Sequence, residues 1–214
     1  MRTIVLTNSV GTRRVSQKGQ YPIFPELIGG TICFDSLITG TLWRMKGMHI
    51  EKDDLIIFNM GINDCIYRKN KGRQLLVFDE MLKEANDNGD PLTTKIINEK
   101  IVYVNNKDNN DLFQLLTFTE FETYIDFAFR QVNKGIVLSV VWFNPDSEKI
   151  GYAYNEMIQI NQILERKANQ YGLIYIDLFK PPLLTFDGVH LTEDGHSIVA
   201  RKIRQVIAKY FRKV

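Results

Sequence analysis

The chain has 214 residues, of which 44% are hydrophobic and 24% charged, and its formal net charge is +2. That length suits one large domain, so we expect residues 1–214 to form a single domain that buries its core without a disulfide or a metal. The small net charge argues against a nucleic-acid partner, because such partners usually face strongly basic surfaces.

Neither the cysteines nor the first residues indicate an oxidising or membrane environment. Cys33 and Cys65 are isolated in sequence and predict reduced thiols in or near the core. The opening stretch MRTIVLTNSVGTRR lacks the long apolar run and the small-residue cleavage site of a signal peptide. No run approaches the length of a membrane span, so a cytoplasmic location is the expectation.

Short apolar runs bounded by turns predict five parallel strands buried on both faces. In chain order these runs are 3–7, 31–37, 53–61, 136–143 and 173–179. Amphipathic stretches predict helices at 42–50, 118–135, 152–172 and 192–211, and two prolines limit any helix at 21–30 to a short one. Alternating strands and helices predict a three-layer α/β/α sandwich around a roughly five-stranded parallel sheet.

Cap signals give the predicted ends of two helices. Thr119 is expected to cap the helix at 118–135, with Glu122 completing a capping box and Gly135 ending the helix. Thr192 is expected to cap the last helix.

The segment 65–117 interrupts the alternation and is predicted to be an insertion. Its stretch KIINEKIVYV (95–104) lies between polar turns and is expected to form a hairpin-like element. Because the insertion begins at the predicted rim of the sheet, we expect it to form a lid or a wall of a pocket. A surface elaboration or a subunit contact is the alternative.

Polar and small residues follow the predicted strands where those strands end. They are Ser9, Gly40, Asn63 and, after the fifth strand, Asp187 and His190. Because the carboxyl ends of parallel strands meet at one rim, we expect these residues to lie there together. A hydroxyl, an imidazole and a carboxylate are the parts of a nucleophilic triad, and amides suit an oxyanion hole.

These residues stand in motifs that resemble the four blocks of the SGNH (GDSL-type) hydrolase superfamily: LTNSV, ITGTL, GIND and DGVH. The resemblance implies a flavodoxin-like fold with Ser9 as nucleophile, His190 as base and Asp187 orienting that base. It also implies an oxyanion hole formed by the N–H groups of Ser9 and Gly40 and the side chain of Asn63. The chain departs from the pattern in having Thr-Asn instead of Gly-Asp before the serine.

Each candidate also has a structural interpretation. Ser9 could be a turn serine, and Asp187 a turn residue before a glycine. Asp64 is expected to structure its turn. His196 is expected to be a partly exposed histidine in the first turn of the last helix, and His49 has no assigned role.

The resemblance and the residues together predict a serine esterase that hydrolyses an acyl ester, with acetyl as the first candidate, of a carbohydrate or small alcohol. An O-acyltransferase acting on a sugar and a non-catalytic binding protein on the same fold are the alternatives. No phosphate-binding loop or metal-ligand spacing is present, so we expect neither a cofactor nor a metal. A small-molecule or carbohydrate ester is the expected partner, and the sequence leaves the oligomeric state open.

Overall fold

One parallel sheet organises the molecule. The computed structural model describes residues 2–8, 21–35, 37–65, 71–108, 114–140, 154–179, 185 and 190–211. Its five strands lie in the order β2-β1-β3-β4-β5, and every neighbouring pair is parallel. They are β1 (Thr3–Thr7), β2 (Thr31–Phe34), β3 (Leu55–Asn59), β4 (Gly135–Leu138) and β5 (Ile174–Ile176). The predicted five-stranded parallel sheet is confirmed.

Helices cover both faces of this sheet, which confirms the predicted α/β/α arrangement. They are α1 (Phe24–Leu27), α2 (Ile38–Gly47), α3 (Ile62–Cys65), α4 (Lys71–Asp87), α5 (Pro91–Asn105), α6 (Phe118–Phe129), α7 (Tyr154–Gln170) and α8 (Glu193–Val206). A π-helical turn, Ile207–Phe211, extends the last of them. None of the helices described is both long and apolar enough to cross a membrane.

The two faces of the sheet belong to separate apolar cores, because successive residues of a strand point to opposite sides. Ile4 and Leu6 of β1 contribute to the larger core, which also receives residues of α2 and α4–α7. Val5 contributes to the smaller core beneath α1 and α8. Cys33 and Cys65 are free and buried in the larger core, as predicted.

The hairpin-like prediction for 95–104 is wrong, because this stretch lies within α5. Asp90 begins the helix by accepting two backbone N–H groups at 3.1 Å, and Pro91 occupies the first helical position, where its missing N–H costs nothing. Ile97 and Val104 are buried in the larger core. The spacing of these apolar residues follows the helical period and not the strand period.

Helices α4 and α5 form an antiparallel helical pair that is fastened to α2. The Thr93 hydroxyl donates to Thr39 Oγ1 at 2.7 Å, and the Trp43 indole N–H donates to the Asn88 carbonyl at 3.1 Å. Phe78 of α4 is fully buried in the larger core. The helical pair is therefore an integral part of the helical layer, and its role as a lid or wall stays a prediction.

Helix α6 begins at Phe118, the first residue of the predicted span, but its cap lies two positions earlier than predicted. Its N-cap is Thr117, whose hydroxyl accepts the Glu120 N–H while the Glu120 carboxylate accepts the Thr117 N–H. The predicted cap pair, Thr119 and Glu122, lies inside the helix. Gly135 does not end the helix either, because it is the first residue of β4.

Candidate active site

The strand order reverses between β1 and β3, and the carboxyl ends of these strands lie side by side. Thr7 is paired in register with Asn59, and the Asn8 N–H continues the ladder by donating to the Asn59 carbonyl at 3.1 Å. Asn8 is buried, and the Thr7 hydroxyl donates to its carbonyl oxygen at 3.2 Å. The chain therefore leaves β1 beside the turn that follows β3; Ser9, the next residue, lies outside the described residues.

The turn after β3 requires a glycine and places Asn63 at the rim. Gly61 has a φ of +113°, and a Cβ there would lie 2.9 Å from the side chains of Ile160 and Phe121. This turn leads directly into α3, so Asn63 sits in the single turn of that helix and is partly buried. The sequence prediction that Asn63 follows β3 at the carboxyl rim is confirmed in position, and its role stays a prediction.

The prediction that Gly40 directly follows β2 is wrong. Gly40 lies inside α2. A Cβ on Gly40 would meet the Asp35 carboxylate at 2.0 Å, so the glycine leaves space for that side chain. The residue that follows β2 at the rim is Asp35, whose N–H donates to the Thr7 carbonyl at 3.0 Å. The oxyanion role of the Gly40 N–H stays a prediction.

Asp35 is a buried carboxyl group at this rim that sequence reasoning did not single out. Its carboxylate accepts the Leu37 N–H at 3.2 Å and pairs with Arg44 Nε at 3.2 Å. Burial raises the pKa of Asp35 to about 6, with a smaller contribution from the charge of Glu84. An acidic residue directly after an apolar strand was the signal that could have identified it.

His190 lies at the edge of a short bridge that precedes α8. The bridge pairs Thr185 with Leu191, and the Tyr21 hydroxyl donates to the Leu191 carbonyl at 3.1 Å. His190 is partly buried, and Asp187 lies outside the described residues. The structure thus fixes the backbone next to the predicted base, while the predicted triad itself stays a prediction.

His196 lies in the first turn of α8, as predicted, but the expected partial exposure is wrong. The residue is 1% exposed, and its Nδ1 accepts the Phe24 N–H at 3.2 Å. Its ring also contacts the rings of Phe24 and Tyr21, with centroids at 6.0 and 5.9 Å. Burial lowers the pKa of His196 to about 4. Thr192, whose hydroxyl accepts a backbone N–H at 3.2 Å, caps the helix as predicted.

Among the residues described, no group of three or more His, Cys, Asp or Glu side chains is arranged to hold a metal ion. The described residues include an amide side chain, Asn63, in α3 directly after β3, and an imidazole, His190, shortly before α8. Groups of these types suit acyl transfer, where a nucleophile, a base and oxyanion donors must converge.

A protein-family model matches most of the chain. The model of the GDSL-like lipase/acylhydrolase family matches residues 13–203. That range includes Gly40, Asn63, Asp187 and His190, and it begins after Ser9. A comparison with curated proteins gives no match.

Solved structures of similar fold cover almost the whole chain. A lipase/acylhydrolase from Enterococcus faecalis has a TM-score of 0.59 at 14% identity, with 97% of this chain and 95% of that chain covered. A protein of the lipolytic G-D-S-L family from Veillonella parvula gives 0.57 at 12% identity, covering 97% and 98%. A catalytic mutant of an acetylxylan esterase from Geobacillus stearothermophilus gives 0.55 at 14% identity, covering 100% and 97%. At such identities the likeness shows the fold.

Proposed function

We propose that this chain, which belongs to the GDSL-like lipase/acylhydrolase family and is a hydrolase, is a serine esterase acting on an acyl ester of a carbohydrate or small alcohol. The observation that carries the proposal is the junction of β1 and β3. There the Asn8 N–H donates to the Asn59 carbonyl, so Asn8 lies beside the end of β3, the strand that is followed by the turn bearing Asn63. This pairing supports the proposal that a serine nucleophile and an amide donor share one rim.

The proposed reaction follows the nucleophilic route of serine hydrolases. Ser9 Oγ attacks the ester carbonyl carbon while His190 accepts the hydroxyl proton, and the tetrahedral intermediate collapses when His190 returns that proton to the leaving alcohol. A water molecule, deprotonated by the same imidazole, then releases the acid and regenerates the serine. Asp187 holds the second ring N–H and so keeps the imidazole in the tautomer that can accept a proton.

The proposed oxyanion hole draws on three donors. They are the backbone N–H groups of Ser9 and Gly40 and the side-chain amide of Asn63. Removing one donor of such a set typically costs about 3 kcal/mol of transition-state stabilisation. Asn63 is the donor whose position is best supported, because the Gly61 turn and the single turn of α3 determine where its Cα lies.

An acetylated carbohydrate is the substrate class we propose first. The acetylxylan esterase among the structures of similar fold supports this choice by analogy of fold. An acetyl group also needs the smallest acyl pocket, so a minimal acetyl ester is the appropriate first substrate for the assay. Longer acyl chains on the same alcohol then report the size of that pocket.

Turnover of a chromogenic acetyl ester by three variants tests the proposal. Ser9→Ala and His190→Ala should each abolish turnover, because members of a triad act as a unit and lose activity non-additively. Asp187→Asn should leave more residual activity, because it misorients the base without removing it. His196→Gln is the matched control and should remain active, since His196 is buried against Phe24. Near-full activity of Ser9→Ala would overturn the proposal.

A further inference from the structure

Asp64, the last residue of the GIND motif, connects three parts of the rim. It is fully buried, and its Oδ1 accepts the N–H of Ile38, the first residue of α2, at 2.9 Å. Its backbone carbonyl accepts the N–H of Leu116, just before α6, at 2.8 Å. One residue therefore ties the turn that bears Asn63 to α2 and to the segment leading into α6.

These ties matter because α3 has little structure of its own. It contains four residues, Ile62–Cys65, and a helix that short has too few internal hydrogen bonds to define its orientation. Its orientation must come from the neighbours to which it is bonded. An oxyanion donor, in turn, loses much of its effect when it is displaced by a fraction of an ångström to one ångström.

We propose that Asp64 is a positioning residue, which holds the Asn63 amide at the oxyanion position by anchoring α3 to the N-terminus of α2. The inference rests on the proposed function, since Asn63 needs accurate placement only if it stabilises an oxyanion. In this proposal Asp64 acts through Asn63, its neighbour in sequence.

A carboxylate suits this anchor for a physical reason. The first N–H groups of a helix have no partner within the helix, and the positive end of the helix dipole favours a negatively charged acceptor. Asp64 supplies both features to α2, whose N-cap Leu37 provides no side-chain acceptor. An asparagine would keep one oxygen acceptor, lose the charge and carry an NH2 group in place of the second oxygen.

Steady-state kinetics on an acetyl ester test the inference. Asp64→Ala should lower kcat about 10- to 100-fold, the size of effect that misplacement of a catalytic group produces. KM should change by no more than about twofold, because the lost interaction acts in the transition state. Asp64→Asn should recover most of the loss in kcat, since it keeps the acceptor for the Ile38 N–H.

Asp90→Ala is the matched control. Asp90 is 2% exposed and likewise accepts backbone N–H groups at a helix start, but it serves α5 in the helical pair. Both substitutions should reduce stability against urea, and only the one at Asp64 should reduce kcat. Equal losses of kcat in the two variants would show that general destabilisation, and not positioning, is responsible.

A second variant removes the same hydrogen bond from the other side, in case Asp64→Ala does not fold. Ile38→Pro eliminates the donor N–H at the first position of α2, where proline is well tolerated. Leu37 before it is extended, with φ −131° and ψ 155°, as a residue preceding proline should be. Ile38→Val controls for the lost side-chain volume and should keep kcat.

A double-mutant cycle decides whether Asp64 acts through Asn63. Asn63→Ala should lower kcat by about 100- to 1000-fold, and adding Asp64→Ala should cause little further loss, because the group to be positioned is already gone. Losses that multiply, or an unchanged kcat in folded Asp64→Ala or Ile38→Pro, would overturn the inference. Failure of the proposed function would look different, because Ser9→Ala would then stay active.

Discussion

Protonation of His196 should destabilise the protein below neutral pH. The imidazole is almost completely buried, and its Nδ1 accepts the Phe24 N–H at 3.2 Å. Both features require the neutral ring, because the imidazolium ion has no lone pair on Nδ1 and is costly to bury. Burial accordingly lowers the pKa of His196 to about 4.

The sign and size of the effect follow from proton linkage. An imidazole in the unfolded chain titrates near pH 6.5, so between about pH 6.5 and pH 4 the unfolded state binds more protons. The contribution of His196 to stability is therefore complete above about pH 6.5 and is lost as the pH falls towards 4. Over that window the loss amounts to about 3 kcal/mol.

The titration of Asp35 changes stability with pH in the opposite direction, so its contribution must be measured separately from that of His196. Because burial raises the pKa of Asp35 to about 6, the folded state binds more protons at this carboxyl than the unfolded state between about pH 4 and pH 6. Its contribution to stability therefore increases as the pH falls. In the wild-type protein the opposite contributions of His196 and Asp35 to the pH dependence of the unfolding free energy partly cancel. Variants that lack one of the two groups are therefore needed to measure each contribution.

Urea unfolding followed by circular dichroism, repeated between about pH 7 and pH 4, measures both contributions. His196→Gln removes the titration while keeping an oxygen that can accept the Phe24 N–H. The difference in unfolding free energy between wild type and this variant should change by about 3 kcal/mol across the window. Asp35→Asn should give a change of opposite sign. A difference that is independent of pH for His196→Gln would refute the account of this histidine.

Two further predictions concern stability and use the same urea assay. Gly40→Ala should lower the unfolding free energy by about 1–3 kcal/mol, because the new Cβ displaces the Asp35 carboxylate, and adding Asp35→Ala should recover part of the loss. Thr117→Ala should cost about 1 kcal/mol as a lost N-cap, whereas the control Thr119→Ala should cost clearly less. Equal effects at the two threonines would contradict the observed start of α6.

The sheet was the part of the fold that could be predicted from the sequence. β1, β3 and β4 are apolar runs because they are buried on both faces, and that requirement is visible without knowing the neighbours. The number of strands and their alternation with helices could be predicted from these apolar runs. The ends of the helices could not be predicted, as the two Thr-x-x-Glu spacings, Thr117–Glu120 and Thr119–Glu122, illustrate. Both could cap a helix, and in the structure Thr117 does so.

The helical pair shows a different limit. The polar turns on both sides of 95–104 favour a hairpin, although Asp90 followed by Pro91 is a helix start signal. The burial of His196 was equally invisible, because it depends on Phe24 and Tyr21, which lie far away in sequence. Asn63 was placed correctly because its position depends only on the preceding strand and turn.

The central claim, that Ser9 is an activated nucleophile, is tested most directly by covalent labelling. A serine-directed phosphonate reacts only where a nucleophile, a base and an oxyanion hole converge. The account predicts one modification, located by peptide mass spectrometry on Ser9, and its loss in the folded His190→Ala variant. A wild-type protein without label on Ser9, or labelling of Ser9 that persists unchanged in His190→Ala, would contradict it.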